Sequence, residues 1–510
     1  MSRKMARVAL ELFILGLISR ALGFFQQMVI AERFGASAGL DAFIVAQSIP
    51  NFFLQVMVLG ALSAVFIPIF KELEAAGEAT AAWEMINSLV NWLLLASVAV
   101  ALAVFIWTPI ISKGFAPGFS GVRLEMTNHM ARQLAFTIPI IAATSLFRGI
   151  DNMTRVYVLP AVGSLLGSLV NLLLTWFLVK EYAEEGLVIA YVAMVLTIGA
   201  ATIGSAYSSG YRYRFVLRFR KGALLDALAG AGPIVLITLM NTLNFYSDRW
   251  FASLLRVGQV SILSYAWRFE PIIVGGIGGA IAAPLLTELS ESIAKKDIPG
   301  AKRHMMSAVR MLSLTVIPTC VLLMLFSREV ISIIYLRGAF RPSDADELAI
   351  VLRIITIALL IWSFGVAVNQ YFFAMKRWRF VAIITSMGVL GNIIADVFLV
   401  KPFGVVGLAL ATTLTTIPLN VWLWGVVYKE LRLGSHDMRG FALELSKSLL
   451  FMVAAGLLGR QVLGLFRVNV VISSLVQLLF AGLVYLAAAW KSRIQEIFLI
   501  RQRLSSFFRT

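Results

Sequence analysis

Two arginines, Arg20 and Arg268, stand inside long apolar runs, from about Val8 to Ala31 and from about Val260 to Leu286. A guanidinium near a bilayer centre costs at least ~2.5–3.5 kcal/mol, so it faces a bundle interior or a watery cavity where an anion can offset that cost. Its permanent charge and planar fork of donors suit phosphate-like groups. Asp41 and Glu270 are the candidate carboxylates to balance the pair. Arg249 is a third cation at intermediate depth. A second set is built from oxygen alone. Asn392 and Asp396 are i and i+4, so they share one helix face. Asp248 and Thr412 approach them from the same side of the membrane. Two carboxylates, an amide and a hydroxyl suit a hard cation. Sodium is one reading of this set, and a proton carried by a carboxylate is the other.

Other chemistry finds no support. The chain has no Gly-Lys-Ser/Thr nucleotide loop, and His129, His304 and His436 form no metal-ligand pattern. The single cysteine, Cys320, excludes an internal disulfide and a cysteine-rich metal site.

These residues need long helices to place them. The 510 residues are 60% hydrophobic and 14% charged, against about 25% charged in soluble domains. Apolar runs long enough to span a bilayer recur along the whole chain. The expected fold is an all-α polytopic membrane protein with about 14 transmembrane helices. The basic N-terminus and the run after it read as a retained first span, because Arg20 interrupts the run and no small-x-small cleavage site is evident. The net charge of +17 is unevenly spread. Segments on the N-terminal side carry roughly twice the Lys and Arg of the opposite side, which places both termini in the cytoplasm. Arg212, Arg214, Arg218, Arg220 and Lys221 are the strongest anchor of that topology, and their expected role is topology plus anionic-lipid contact. The longest outer loops are expected near 113–130 and 327–347.

An internal repeat is legible. Gly60, Ala64, Pro68, Glu72 and Leu73 match Gly276, Ala280, Pro284, Glu288 and Leu289; Arg155, Leu166 and Gly167 match Arg379, Leu390 and Gly391. Phe177-Leu178-Val179-Lys180 recurs as Phe398-Leu399-Val400-Lys401, followed by Gly186, Leu187 and Ala190 against Gly407, Leu408 and Ala411. Six spans per repeat give both halves the same orientation, the plan of transporters whose two lobes rock about a central site. The expected domains are an N-lobe at 1–222 (spans 1–6), a C-lobe at 223–433 (spans 7–12), and spans 13–14 with a basic tail at 434–510.

The segment Ser19-Arg20-Ala21-Leu22-Gly23-Phe24, with Ala31-Glu32-Arg33-Phe34-Gly35-Ala36 and Asp41-Ala42-Phe43, resembles the MurJ (MviN) family of the multidrug/oligosaccharidyl-lipid/polysaccharide (MOP) superfamily. So do Pro50-Asn51, Ser247-Asp248-Arg249-Trp250, Tyr265-Ala266-Trp267-Arg268 and Arg337-Gly338-Ala339-Phe340. The resemblance implies a flippase, not an enzyme. It would move lipid II, the undecaprenyl-pyrophosphate-linked peptidoglycan precursor, from the cytoplasmic to the outer leaflet of a bacterial inner membrane by alternating access. Arg20, Arg268 and Asp41 match family cavity positions. Asp248, Asn392, Asp396 and Thr412 match the family sodium pattern, and spans 13 and 14 would form a groove for the lipid tail. Gln26 and Gln27 stand where the family has an arginine, Leu54 and Gln55 follow Pro-Asn where another is usual, and Trp267 replaces an aspartate. The expected substrate-binding set is Arg20, Arg268, Asp41, Gln26, Gln55 and Glu270. Beyond a sodium ion no cofactor is expected. Partners are lipid II or a related glycan, membrane lipids and cell-wall synthesis enzymes, with no nucleic acid. Two rival readings fit the same charges: a flippase for another undecaprenyl-linked glycan of the exopolysaccharide type, and a cation-coupled multidrug exporter.

Overall fold

The computed structural model describes residues 3–55, 70, 73, 75–154, 156–217, 221–434, 446–447, 449–454 and 456–457. Pro68, the matches at Gly60 and Ala64, Arg155, Arg218, Arg220 and nearly all of spans 13 and 14 lie outside these residues. Chain contacts divide the protein into two compact units. Unit 1 is Met1–Ser261 with Arg337–Phe340, and unit 2 is Ile262–Leu336 with Arg341–Thr510.

Unit 1 contains α1 (Arg3–Phe34), α2 (Ala38–Leu54), α3 (Ala79–Ile106), α4 (Thr108–Phe115), α5 (Gly121–Ala135), α6 (Thr137–Met153), α7 (Val158–Ser208) and α8 (Lys221–Ser253). Helix α9 (Gln259–Trp267) leads out of it. Unit 2 continues with a π-helix at Pro271–Gly278, then α10 (Gly279–Ala294), α11 (Ile298–Leu325), α12 (Ser327–Ile334), α13 (Pro342–Ala374) and α14 (Trp378–Glu430). Among the described residues, seven helical stretches are long and apolar enough to cross a membrane, or eight if the bent pair α5 and α6 counts as one span. Large apolar side chains such as Phe177 and Phe398 point outward, at 64% and 72% exposure. In water that would be costly, whereas against lipid it is the expected outer face. The protein is a multi-pass membrane protein.

Two helices are too long for one crossing. A straight helix of 51 or 53 residues would measure about 75–80 Å, against a hydrocarbon core of about 30 Å. Each is broken near its middle, α7 at Ala183 (φ 47°, ψ −125°) and α14 at Gly404 (φ 57°, ψ −137°). The two limbs then pack side by side on glycines. In α7, Gly163 faces Ala201 and Gly167 faces Ile198; in α14, Gly388 faces Leu419 and Gly391 faces Thr415. Small residues at such positions let helix backbones approach closely. Just past each kink a glycine lies against the backbone of the first limb, Gly186 on Leu178 and Gly407 on Leu399. Both pairs belong to the repeated Phe-Leu-Val-Lys segments, so the sequence match and the chain reversal coincide.

The segments expected as long outer loops carry helix instead. Helix α5 buries Thr127, Met130, Ala131 and Leu134 along one face, while its other face is polar. That mixture hides a helix from an eye tuned to apolar runs. Helices α5 and α6 meet at a 44° bend. Pro139 lies just beyond it and cannot donate to the preceding turn. The short α12 lies in the other expected loop. The core of unit 1 gathers Ile86, Leu89 and Val90 of α3, Leu146, Phe147 and Ile150 of α6, Ala206 of α7 and Tyr211 just beyond it.

Candidate functional site

Arg20 stands on α1 and is exposed. Among the described residues it has no carboxylate partner. Helix α1 is held against α7 a turn and a half further on. There the Gln26 amide donates to Thr175 Oγ1 at 3.2 Å, and its oxygen accepts from Asn171 Nδ2 at 3.2 Å. Gln26, expected in the substrate site, thus has its polar atoms occupied by helix packing. Gln55 is likewise engaged, its Oε1 accepting from the Thr242 hydroxyl at 2.9 Å.

Arg268 follows the last residue of α9 and is also exposed. Its electrostatic neighbours are the phenols of Tyr265 and Tyr335, whose rings lie 4.8 Å apart. Glu270 is only partly buried, and among the described residues no ion pair joins it to Arg268. Beside the arginine, Trp267 stacks on Trp362 of α13 with centroids 5.5 Å apart and planes at 10°. Trp362 Nε1 donates to Thr416 Oγ1 at 3.0 Å, which fixes the pair against the second limb of α14. The π-helix begins directly after this turn.

Arg249 differs from both. It donates from Nη1 to Ser48 Oγ at 2.5 Å and lies 4.2 Å from the Phe245 ring centroid. That is a cation held by a hydroxyl and an aromatic face within unit 1.

Asp41 is fully buried on the first turn of α2, whose N-cap Ser37 accepts from Leu40 N–H at 3.3 Å. One carboxylate oxygen accepts from Gly258 N–H at 2.7 Å. The other accepts from Ser261 N–H at 2.8 Å and from the Ser261 hydroxyl at 2.6 Å. Arg123 of α5 lies 3.5 Å away. The carboxylate therefore caps the free N–H groups at the start of α9, where a negative charge is favoured. The sequence suggested Asp41 as a counter-charge for Arg20; the structure pairs it with Arg123. That arginine was missed because a cation in an apparent outer loop is ordinary.

The oxygen set divides between the units. Asp248 is buried on α8 in unit 1. In unit 2, Asn392, Asp396 and Thr412 are buried on α14, at 3%, 0% and 2% exposure. Asn392 Nδ2 donates to Asp396 Oδ2 at 3.1 Å, and Asn392 Oδ1 accepts from the Thr415 hydroxyl at 3.4 Å. The Thr412 hydroxyl donates to the Leu408 carbonyl of its own helix at 3.2 Å. Thr415 is the unit-2 neighbour that the spacing did not reveal. A buried carboxylate beside an amide and hydroxyls fits a hard monovalent cation in donor chemistry. No group of three His, Cys, Asp or Glu side chains suited to a metal occurs among the described residues.

Helices of this length, reversed at glycine-lined kinks and carrying buried polar groups, define a multi-pass membrane transporter with the MOP-superfamily fold. Solved structures share it. A lipid II flippase MurJ in an inward closed conformation superposes with a TM-score of 0.79 at 22% identity, covering 94% of this chain and 97% of that one. An inward-facing multidrug resistance MATE family transporter of the MOP superfamily gives 0.68 at 16% identity, covering 80% and 96%. A family model described as lipid II flippase MurJ matches residues 30–481. The chain belongs to the lipid II flippase MurJ family, whose members are transporters and not enzymes. Relatives described as probable lipid II flippase MurJ include one from Buchnera aphidicola subsp. Schizaphis graminum, 26% identical over 337 residues and covering 65% of each chain. Another, from Vibrio cholerae, is 23% identical over 446 residues, covering 85% of this chain and 84% of that relative.

Proposed function

We propose that this protein carries lipid II across a bacterial inner membrane by alternating access, with both termini cytoplasmic. The observation that carries the reading is the state of Arg20 and Arg268: exposed, placed in apolar helices, and without a carboxylate partner among the described residues. A membrane arginine that no acid neutralises is a site for an anion supplied from outside the chain. In lipid II that anion is a pyrophosphate. Family membership supports the same substrate, and solved relatives of this fold in inward-facing and outward-facing states support the mechanism. The finer architecture belongs to the proposal too: 14 spans, with repeats at 1–222 and 223–433 and a tail groove formed by 434–510.

In this reading the two guanidiniums hold the pyrophosphate, and the Trp267–Trp362 pair fixes the turn that presents Arg268. Asp396, with Asn392 and the hydroxyls of Thr412 and Thr415, would hold a sodium ion. The ion would supply bias, favouring one conformation through differential affinity.

The test is leaflet-resolved transport of lipid II in proteoliposomes, with and without a sodium gradient. Arg20→Ala and Arg268→Ala should each lower the rate by about 100-fold, the loss expected when charge-assisted phosphate contacts worth ~3 kcal/mol are removed. Wild-type rates in both variants would sink the proposal. Transport of another undecaprenyl-linked glycan in place of lipid II would redirect it.

A further inference from the structure

After α7 the chain runs from Tyr211 to Leu217 without helix or strand, alongside the third and fourth turns of α3. Such backbone at a membrane edge must find partners for its carbonyls. Here side chains of one helix supply them. Asn87 Nδ2 donates to the Arg212 carbonyl at 3.4 Å. Asn91 Nδ2 donates to the Arg214 and Val216 carbonyls at 3.1 and 3.0 Å. Trp92 Nε1 donates to the Leu217 carbonyl at 3.2 Å. In return, Asn87 Oδ1 accepts from the Tyr211 hydroxyl at 2.6 Å and from Arg214 N–H at 3.0 Å, and Asn91 Oδ1 accepts from the Tyr213 hydroxyl at 2.7 Å. Both asparagines are buried. The match is metric: one helical step from Asn87 to Asn91 rises about 6 Å, close to the ~6.7 Å of two extended residues. The two asparagines of α3 therefore engage every second carbonyl from Arg212 to Val216, and Trp92 takes the next one.

Pinning fixes which side chains face where. Tyr211 is buried, while the residues from Arg212 to Phe215 are exposed, Arg212 and Arg214 among them. Neither guanidinium has an ion-pair partner among the described residues. Next to them stand exposed apolar groups: Phe215 at 67%, Leu217 at 39% and, on α3, Trp92 at 46%. Two fixed cations beside an aromatic and aliphatic strip match an anionic phospholipid, with its phosphate on the arginines and its acyl chains on the strip.

We propose that the ribbon of residues 211–217 is a binding site for one anionic phospholipid, with Arg212 and Arg214 on the headgroup phosphate and Phe215, Leu217 and Trp92 against the chains. The site is independent of what the transporter carries. A mobile basic loop would gather anionic lipid through net charge alone; this one holds its arginines in a set geometry, and the test separates the two.

Native mass spectrometry of the detergent-purified full chain, titrated with phosphatidylglycerol or phosphatidylcholine, reads the preference directly. Arg212→Gln with Arg214→Gln should reduce the preference for phosphatidylglycerol about 30-fold, the scale expected from two juxtamembrane cations. Arg379→Gln with Lys429→Gln removes the same charge from exposed positions of unit 2 and should leave the preference unchanged. Asn91→Leu keeps both arginines but frees the ribbon, and should fall with the first pair. Should it not express, the exposed arginine pair still decides the question. Equal losses in both arginine and control pairs, or a preference untouched by Arg212→Gln with Arg214→Gln, would overturn the proposal. Displacement of the lipid by millimolar inorganic phosphate would overturn its assignment to phospholipid.

Discussion

The kinked helices α7 and α14 are one device used twice, and they differ in what they bury. Asn171 and Asn392 stand at the same distance before their kinks, followed one turn later by Thr175 and Asp396. On the return limb, Asn171 meets Met194 Sδ at 3.2 Å, while Asn392 meets the Thr415 hydroxyl at 3.4 Å. The α7 set is neutral, and it is closed by Gln26 of α1. The α14 set contains a fully buried carboxylate. One kinked helix fastens a neighbouring helix, and the other buries a carboxylate beside an amide and hydroxyls.

The sharpest way to break this comparison is at the shared part. Gly186→Val and Gly407→Val would each drive a side chain into backbone. An added Cβ would already lie 2.8 Å from the Leu178 carbonyl carbon or 2.6 Å from that of Leu399. Overpacking typically costs about 1–3 kcal/mol, and more where backbone cannot yield. Both variants should lose most of their folded yield in membranes, judged by size-exclusion fluorescence. If only one does so, the two hairpins are not equivalent.

Next in size is the chemical difference. Sodium should raise the melting temperature of the wild-type protein in detergent, since a ligand at 100 times its Kd stabilises by about 2.7 kcal/mol. Asp396→Asn should abolish that shift, and Thr175→Val should preserve it. A sodium shift that survives Asp396→Asn would remove the ion from α14.

The smallest effect should come from the fastening itself. Gln26→Leu leaves Asn171 and Thr175 without that partner, at a cost of about 1–3 kcal/mol. It should lower the melting temperature by a few degrees while lipid II transport continues. A large transport defect at unchanged stability would instead return Gln26 to the substrate site.

Much of this was legible in the sequence because the signals are local. Arg20 and Arg268 stand out as charges in apolar runs, Asn392 and Asp396 by helical spacing, and the hairpins by a repeated Phe-Leu-Val-Lys with its following glycine. What stayed hidden depends on distant partners. Asp41 is an acid near a helix start until Gly258, Ser261 and Arg123 are brought to it. Asn87 and Asn91 are unremarkable polar residues until a ribbon more than a hundred positions later lies along them. Gln26 stands where the family carries an arginine, and nothing local shows that its amide goes to Asn171 and Thr175.

The π-helix at Pro271–Gly278 has a rotational consequence. Each i→i+5 turn admits one more residue than an α-turn, and one residue of α-helix is about 100° of azimuth. Leu285 and Leu289 of α10 are buried, so they fix the orientation of everything after the π turn. Were the segment α-helical, Arg268 would point to a different compass bearing for the same packing of α10. The azimuth of α10 relative to the turn that carries Arg268 therefore depends on this glycine-rich stretch.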